Sequence, residues 1–309
     1  MNFQKKIRIG TRRSVLARSQ AAIVADAICS HCPGLQAELV TIVTSGDRTE
    51  EPLQPIGGKG LFTAELEAAL RSGDIDLAVH SAKDLPAAMP ADLTIAAVPD
   101  RQDPRDALIT PGGVAIEDLP AGAVVGTSSL RRRAQLLAIR SDLEVIAMRG
   151  NLDTRLRKVL EEQDPQVSAV IVAMAGLSRS GLAGLYAEHV HPLSVENFVP
   201  AAGQGALVLQ TLAMSASIAR LVSVVDDPAS RQALLAERAV LQALGASCRS
   251  CLAVHISPAL PRWRGIAMVA RPDGADMVRL EVGSASPAET ATRLIEELRS
   301  HSAAELLCD

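Results

Sequence analysis

Asp76-Leu77-Ala78-Val79-His80-Ser81-Ala82-Lys83-Asp84-Leu85-Pro86 opens as a short apolar run and ends in a polar cluster closed by proline. A run of this length between helical patterns suits a buried parallel strand. Ligands in open α/β sheets sit at the carboxyl ends of such strands, so Lys83 and Asp84 are expected at a cleft. A solvated Lys-Asp turn is the plainer alternative, because polar residues commonly follow strands. Asp84 is the only acid of the polar cluster, which makes it the candidate for handling protons and stabilising a cation.

Working outward, the same order of parts recurs. Ile9-Gly10-Thr11-Arg12-Arg13-Ser14 ends a strand and opens a helix over 14–28, which Pro33-Gly34 terminates. Val124-Val125-Gly126-Thr127-Ser128-Ser129-Leu130-Arg131-Arg132-Arg133 repeats strand, Gly-Thr, serine, arginine and helix. This echo predicts two related α/β lobes. Further strands are expected over 39–44, 93–98, 143–147 and 169–173, with polar residues again following several of them. The charged segment 100–106 and Phe198-Val199-Pro200-Ala201-Ala202-Gly203-Gln204-Gly205-Ala206 read as crossings between lobes. From Asp226-Asp227-Pro228 onward, helix, strands and a last helix predict a smaller α+β domain. The expected division is 1–99 with 200–218 as lobe 1, 100–199 as lobe 2, and 219–309 as the C-terminal domain.

The 309 residues exceed what one core usually organises. Apolar content of 48% with 21% charged residues describes a globular chain, not a disordered one. Phe3, Phe62, Tyr186, Phe198 and Trp263 are all the aromatics, so stacking platforms for single-stranded nucleic acid are few. A formal charge of −4 argues against nucleic-acid binding by bulk positive potential. No 18-residue apolar span and no signal peptide appear, so a cytoplasmic location without membrane insertion is expected. The odd set Cys29, Cys32, Cys248, Cys251 and Cys308 fits reduced thiols.

Arg12, Arg131, Arg132, Arg149, Arg155 and Arg179 fall at predicted strand-to-helix turns. Guanidinium groups bind carboxylates in a two-point fork, and Thr127, Ser128 and Ser129 precede a helix start that also favours anions. The combination predicts a cleft for a molecule with several carboxylates or phosphates. Ile56-Gly57-Gly58-Lys59-Gly60-Leu61-Phe62 lacks the spacing of a phosphate loop and reads as a lid over a cleft or an ordinary surface loop. Cys248 follows a helix beside Arg249, which favours the thiolate. A plain structural thiol and a four-thiolate zinc site with Cys29, Cys32 and Cys251 compete with that reading. The two pairs lie far apart in sequence, unlike ordinary zinc modules, and no metal is expected. His80, on an apolar strand, reads as a packed core residue.

Six segments in order resemble the porphobilinogen deaminase (hydroxymethylbilane synthase) family: residues 9–20, Gly57 to Phe62, His80 to Pro86, Gly126 to Arg132, Arg149-Gly150-Asn151-Leu152-Asp153-Thr154-Arg155, and Pro200 to Ala206. The resemblance implies two lobes like those of periplasmic binding proteins and a third domain carrying a covalent cofactor. That cofactor is a dipyrromethane, held as a thioether by the cysteine matching Cys248. Four porphobilinogen units are added head to tail with loss of ammonia, and water releases the linear tetrapyrrole.

Residue matching implies that Asp84 is catalytic and stabilises the cationic azafulvene. It implies that Lys83, Asp84, Thr127, Ser129, Arg131, Arg132 and Gly150 hold the cofactor. Substrate carboxylates fall to Arg12, Ser14, Arg149, Arg155 and Arg179, and the lid to Lys59 and Phe62. A monomer is implied, with its product passing to uroporphyrinogen-III synthase. Ala246, Ser247 and Cys251 depart from the family's two glycines and proline around the attachment cysteine, so a second thiol lies near enough to compete. Ser178 and Ser45 stand where lysine and arginine are usual. A non-catalytic two-lobed polyanion receptor is the alternative, and it leaves the C-terminal thiol unexplained.

Overall fold

The computed structural model describes residues 6–45, 63–162, 166–246, 250–301, 303 and 305–307. The chain runs through β1 (Lys6–Arg12), α1 (Val15–His31), β2 (Gln36–Ile42), α2 (Ala64–Ser72), β3 (Leu77–Ser81) and β4 (Leu93–Ala97). Then come β5 (Asp106–Ile109), β6 (Val124–Gly126), α3 (Leu130–Ile139), β7 (Glu144–Ile146), α4 (Leu152–Leu160) and β8 (Ala169–Ala173). Next are α5 (Met174–Arg179), α6 (Leu182–Leu185), β9 (Val190–Pro192), β10 (Leu207–Leu212), α7 (Ala216–Val222) and α8 (Pro228–Ala243). The chain ends in β11 (Leu252–Ala259), β12 (Arg262–Ala270), β13 (Met277–Ser284) and α9 (Pro287–Ser300). Among the described residues, no helix is long and apolar enough to cross a membrane.

Two compact units result: Met1–Arg101 with Ala206–Arg231, and Gln102–Gly205 with Gln232–Asp309. In the first, the sheet order is β2-β1-β3-β10-β4. Strands β2, β1 and β3 are parallel, and β10 runs antiparallel to β3 and β4. Leu77 and Val79 face a core made with Ile9, Val24, Ile28 and Leu221. Ala78 faces the opposite core of Leu66, Leu70 and Ile75. Burial on both faces is why β3 reads as a continuous apolar run rather than an alternating one. Each fully buried Leu or Ile contributes about 1.5–3 kcal/mol, so these two layers hold the sheet's strand ends in place. Helix α1 runs one turn past the expected 14–28, because Ile28 and Cys32 still pack on the core.

The second unit contains a sheet of order β7-β6-β8-β5-β9. Its first three strands are parallel, and β5 is antiparallel to β8 and β9. The two sheets therefore share one plan, a parallel trio followed by an inserted antiparallel strand and an edge. This is the structural form of the sequence echo. Val125, Ala169 and Ile171 pack on Leu136 of α3 on one face, and Val170 and Val172 pack on Leu156 and Leu177 on the other.

The same unit carries an antiparallel meander, β11-β12-β13. Val254, Ile256 and Val269 pack against Val240 of α8 and Leu294 and Leu298 of α9. Ser286 caps α9 by accepting the Glu289 amide, with Pro287 at the first turn, a combination that fixes where the helix starts. Ala253, Ile266 and Met268 cover the other face with Ala134 and Val199.

Candidate active site

In the first unit the candidate residues follow the carboxyl ends of β1 and β3. Arg12 closes β1, and Ser14 caps α1 by accepting the Ala17 amide at 3.2 Å. Thr11 is buried and donates to the Ala17 carbonyl at 2.9 Å, which ties the strand end to the helix start. Residues 82–84 form a single 3-10 turn after β3, with Lys83 half-buried and Asp84 exposed. Among the described residues nothing hydrogen-bonds or ion-pairs with the Asp84 carboxylate. The turn is braced from below. Gln20 hydrogen-bonds the Ser81 hydroxyl at 3.1 Å, and the Ala82 amide donates to Ala206 at 3.0 Å.

His80 is a buried residue of this brace, as its apolar strand implied. Its Nε2 lies 2.9 Å from Gln210 Oε1. Burial pushes the imidazole down to about 4; the Gln210 bond works against that and the Arg12 charge adds to it.

In the second unit the candidates follow β6, β7 and β8. Thr127 Oγ1 accepts the Ser129 amide at 3.2 Å, and Ser129 caps α3 by accepting the Arg132 amide at 3.4 Å. Each hydroxyl accepts in these contacts, so each keeps its own proton to donate to an anion. Ser128 donates to the Met148 carbonyl at 2.9 Å, joining the α3 start to the turn after β7. That turn carries Arg149 and Gly150, both exposed, and Gly150 has φ of +110°. Arg155 donates its Nε to the Gly150 carbonyl at 2.9 Å. Burial and then the charge of Arg132 hold its guanidinium below the usual value. Arg179 is buried and donates to the Gly205 carbonyl at 2.6 Å, and burial pushes it down to about 10.

Arg131 and Arg132 are placed differently from the exposed forks that the sequence suggests. Both are buried, and both converge on Asp106 at the start of β5. Arg132 donates Nε and Nη2 to Oδ1 at 3.1 and 2.7 Å. Arg131 Nη2 lies 2.8 Å from Oδ2, an ion pair buried on both sides. Gln204 Nε2 adds a third donor to Oδ1 at 3.0 Å. Asp106 and Gln204 were missed in the sequence; the signal available was an acid opening a strand that is otherwise apolar.

The loop before β10 is pinned by a wholly buried carboxylate on α8. Glu237 accepts the Gly203 amide at 2.6 Å and the Ile256 amide at 2.8 Å. Gly205, with φ of +89°, has no room for a side chain, since a Cβ would stand 2.2 Å from the Gln102 carbonyl oxygen. Cys251, the second thiol of the segment that follows α8, is buried, and burial followed by Asp273 pushes it up to about 11. A thiol held protonated in a core is a poor nucleophile. Ser45 is exposed and bonds Glu65, and Ser178 is exposed. Cys248, Lys59 and Phe62 lie outside the described residues. No cluster of three metal-ligating side chains occurs among the described residues.

Residues 7–220 match a family model described as porphobilinogen deaminase, dipyromethane cofactor binding domain. The chain belongs to the porphobilinogen deaminase family. A porphobilinogen deaminase of Roseiflexus sp. (strain RS-1) is 44% identical over 303 residues, 97% of each chain. That of Natranaerobius thermophilus is 40% identical over 311 residues, 98% of each chain. Among solved structures, the methionine binding protein MetQ aligns over 76% of this chain and 96% of its own, with 13% identity and a TM-score of 0.44.

The family's dipyrromethane carries an acetate and a propionate on each pyrrole, and the donor set suits it. Hydroxyl protons at Thr127 and Ser129 and guanidinium charge in excess of Asp106 are the chemistry that a tetracarboxylate requires.

Proposed function

We propose that this chain is a transferase that condenses four porphobilinogen molecules head to tail, each with loss of ammonia. Water then releases the linear tetrapyrrole hydroxymethylbilane, a step of porphyrin and heme biosynthesis. Identity of 44% sustained over 97% of the chain carries this reading. When bound, the dipyrromethane supplies the nucleophilic pyrrole carbon that primes the chain, tethered as a thioether at Cys248.

The protein's own residues do the rest. Asp84 stabilises the positive charge that develops on the substrate pyrrole as ammonia leaves, and its oxygens take and return the protons. Positioned acid-base catalysis of this kind contributes about 10²–10⁴-fold. The turn that carries Asp84 is braced by Gln20 and the Ala82 amide, so its backbone needs no reorganisation during the reaction, which favours an electrostatic effect. Lys83, Asp84, Thr127, Ser129, Arg131, Arg132 and Gly150 hold the dipyrromethane. Arg12, Ser14, Arg149, Arg155 and Arg179 take substrate carboxylates. Lys59 and Phe62 belong to a lid that limits water.

Three functional domains, two α/β lobes and the C-terminal meander with its attachment cysteine, accord with three separate sheets. The protein works as a cytoplasmic monomer and passes its product to uroporphyrinogen-III synthase. Intact-protein mass spectrometry tests the reading: chain purified from a porphobilinogen-producing host carries two linked pyrroles and colours with Ehrlich's reagent. A folded, colourless chain of unmodified mass that releases no ammonia from porphobilinogen overturns it.

A further inference from the structure

The turn between β12 and β13, residues 271–276, sits directly on α3. Its shape is fixed from within. The Arg271 amide donates to the Asp276 carbonyl at 2.9 Å, and the Gly274 amide donates to the Arg271 carbonyl at 3.0 Å. The Ala275 amide donates to Asp273 Oδ1 at 3.1 Å. Gly274 has φ of +75°, which glycine adopts without steric cost. A Cβ at this position would lie 2.6 Å from the Ala134 carbonyl oxygen, 2.9 Å from the Ala138 nitrogen and 3.1 Å from the Leu137 Cβ. All three belong to α3, and the two nearer atoms are backbone, so the helix cannot give way. The turn also reaches the start of that helix, since Arg271, Pro272 and Asp273 line a cavity with Leu130 and Arg133. Leu130 follows Ser129, the cap of α3, whose hydroxyl is among the donors proposed for the dipyrromethane.

Beneath the turn the contact continues as a core. Ala134 packs with Cys251 and with Ala253, Ile266 and Met268 of the meander. Val199 lies in the same core, and Gln135 accepts its amide at 2.6 Å and donates to its carbonyl at 3.1 Å. Cys251 stands three residues after Cys248 in sequence. One helix therefore presents cofactor donors on its first turn and grips the attachment domain along its second. We propose that Gly274 is a positioning residue: by admitting the turn onto the α3 backbone, it holds the meander that follows the attachment cysteine at a fixed distance from the α3 donors that receive the dipyrromethane. This rests on the proposed function. Carbon contacts settle at about 3.5–4.0 Å, so a side chain at 274 must lift the turn by about 1 Å.

The test uses full-length chain made in a host without porphobilinogen, with loading followed by intact mass after porphobilinogen is added. Loading replaces the Cys248 S–H bond by an S–C bond, the thiol proton leaving with ammonia, and a second unit joins with loss of another ammonia. Gly122→Ala puts a side chain at φ of +71° with nothing within 4 Å, so it carries backbone strain alone. Gly274→Asn tolerates a positive φ but brings the Cβ, and Gly274→Ala brings both. Loading should slow about 10–100-fold in the two Gly274 variants and stay within about twofold of wild type in Gly122→Ala, since a 1 Å misplacement can cost about 10²-fold. Alkylation of Cys251 by iodoacetamide reads the same contact without the cofactor, and should quicken about tenfold in the Gly274 variants only. Wild-type-like loading of the Gly274 variants, or a Cys251 as shielded there as in Gly122→Ala, overturns the proposal. If Gly274→Ala does not fold, Gly274→Asn decides in the same way. A wild-type chain that gains no pyrrole mass and releases no ammonia refutes the proposed function instead, and Cys251 alkylation still decides the contact.

Discussion

His80 makes stability depend on pH in a direction that the structure fixes. The imidazole sits buried in β3, bonded to Gln210, with its folded value lowered from 6.5 to about 4. Between those values the unfolded chain binds a proton that the folded chain refuses, so stability falls as pH falls. The contribution is fully present above pH 6.5. Integrating the linkage gives a loss of about 2 kcal/mol at pH 5 and about 3 kcal/mol at pH 4, relative to pH 7.5. Other groups titrate in this range, so the measurement is a difference. Urea unfolding of wild type and of His80→Gln, which keeps a hydrogen bond toward Gln210, is followed at pH 7.5, 6, 5 and 4. Wild type should lose that amount relative to the variant, mostly between pH 6.5 and 4. Parallel pH profiles for the two proteins would refute the reasoning, because a histidine in water contributes no such difference. The position gives the effect a functional side, since β3 carries Asp84 on the turn after it.

Asp84→Asn should leave porphobilinogen affinity within about threefold by calorimetry while ammonia release falls about 10²–10⁴-fold; wild-type-like release would remove Asp84 from its role. Gly205→Ala places a Cβ 2.2 Å from a backbone oxygen at φ of +89°. A loss of about 1–3 kcal/mol or more is expected from the urea midpoint, and an unchanged midpoint would contradict the geometry. Cys251, buried and pushed up to about 11, should stay unlabelled by iodoacetamide in the folded protein at pH 8 and react after unfolding. Cys251→Ala should accordingly retain the mass of two pyrroles; loss of that adduct would place the attachment at Cys251.

What the sequence shows well is what short-range periodicity encodes. The apolar run before Lys83 becomes a doubly buried strand, and the repeated Gly-Thr turn marks two sheets with one strand order. The placement of Asp84 just after β3 is legible for the same reason, since it is a lone acid at a predictable strand end. Asp106 is not, because Asp103-Pro104-Arg105-Asp106 looks like a charged connector, and the one local signal, an acid before the short apolar run Ala107-Leu108-Ile109, does not say that it is buried. Its partners lie 25 and 26 residues away on α3 and 98 residues away at Gln204, so only the folded sheet brings them together. Arg131 and Arg132 look like surface arginines for the same reason. The Cys251 thiol looks available until β11 packs against Ala134 and Val199.

The place of β10 has a consequence for synthesis on the ribosome. It separates β3 from β4 and is buried along nearly its whole length, yet it is made more than a hundred residues after β4. Until Leu212 has left the exit tunnel, the amino-terminal sheet has a gap in its middle and two unsatisfied strand edges. A nascent chain halted at residue 101 should therefore stay protease-sensitive and chaperone-bound, while extension past α7 should close the gap in one cooperative event.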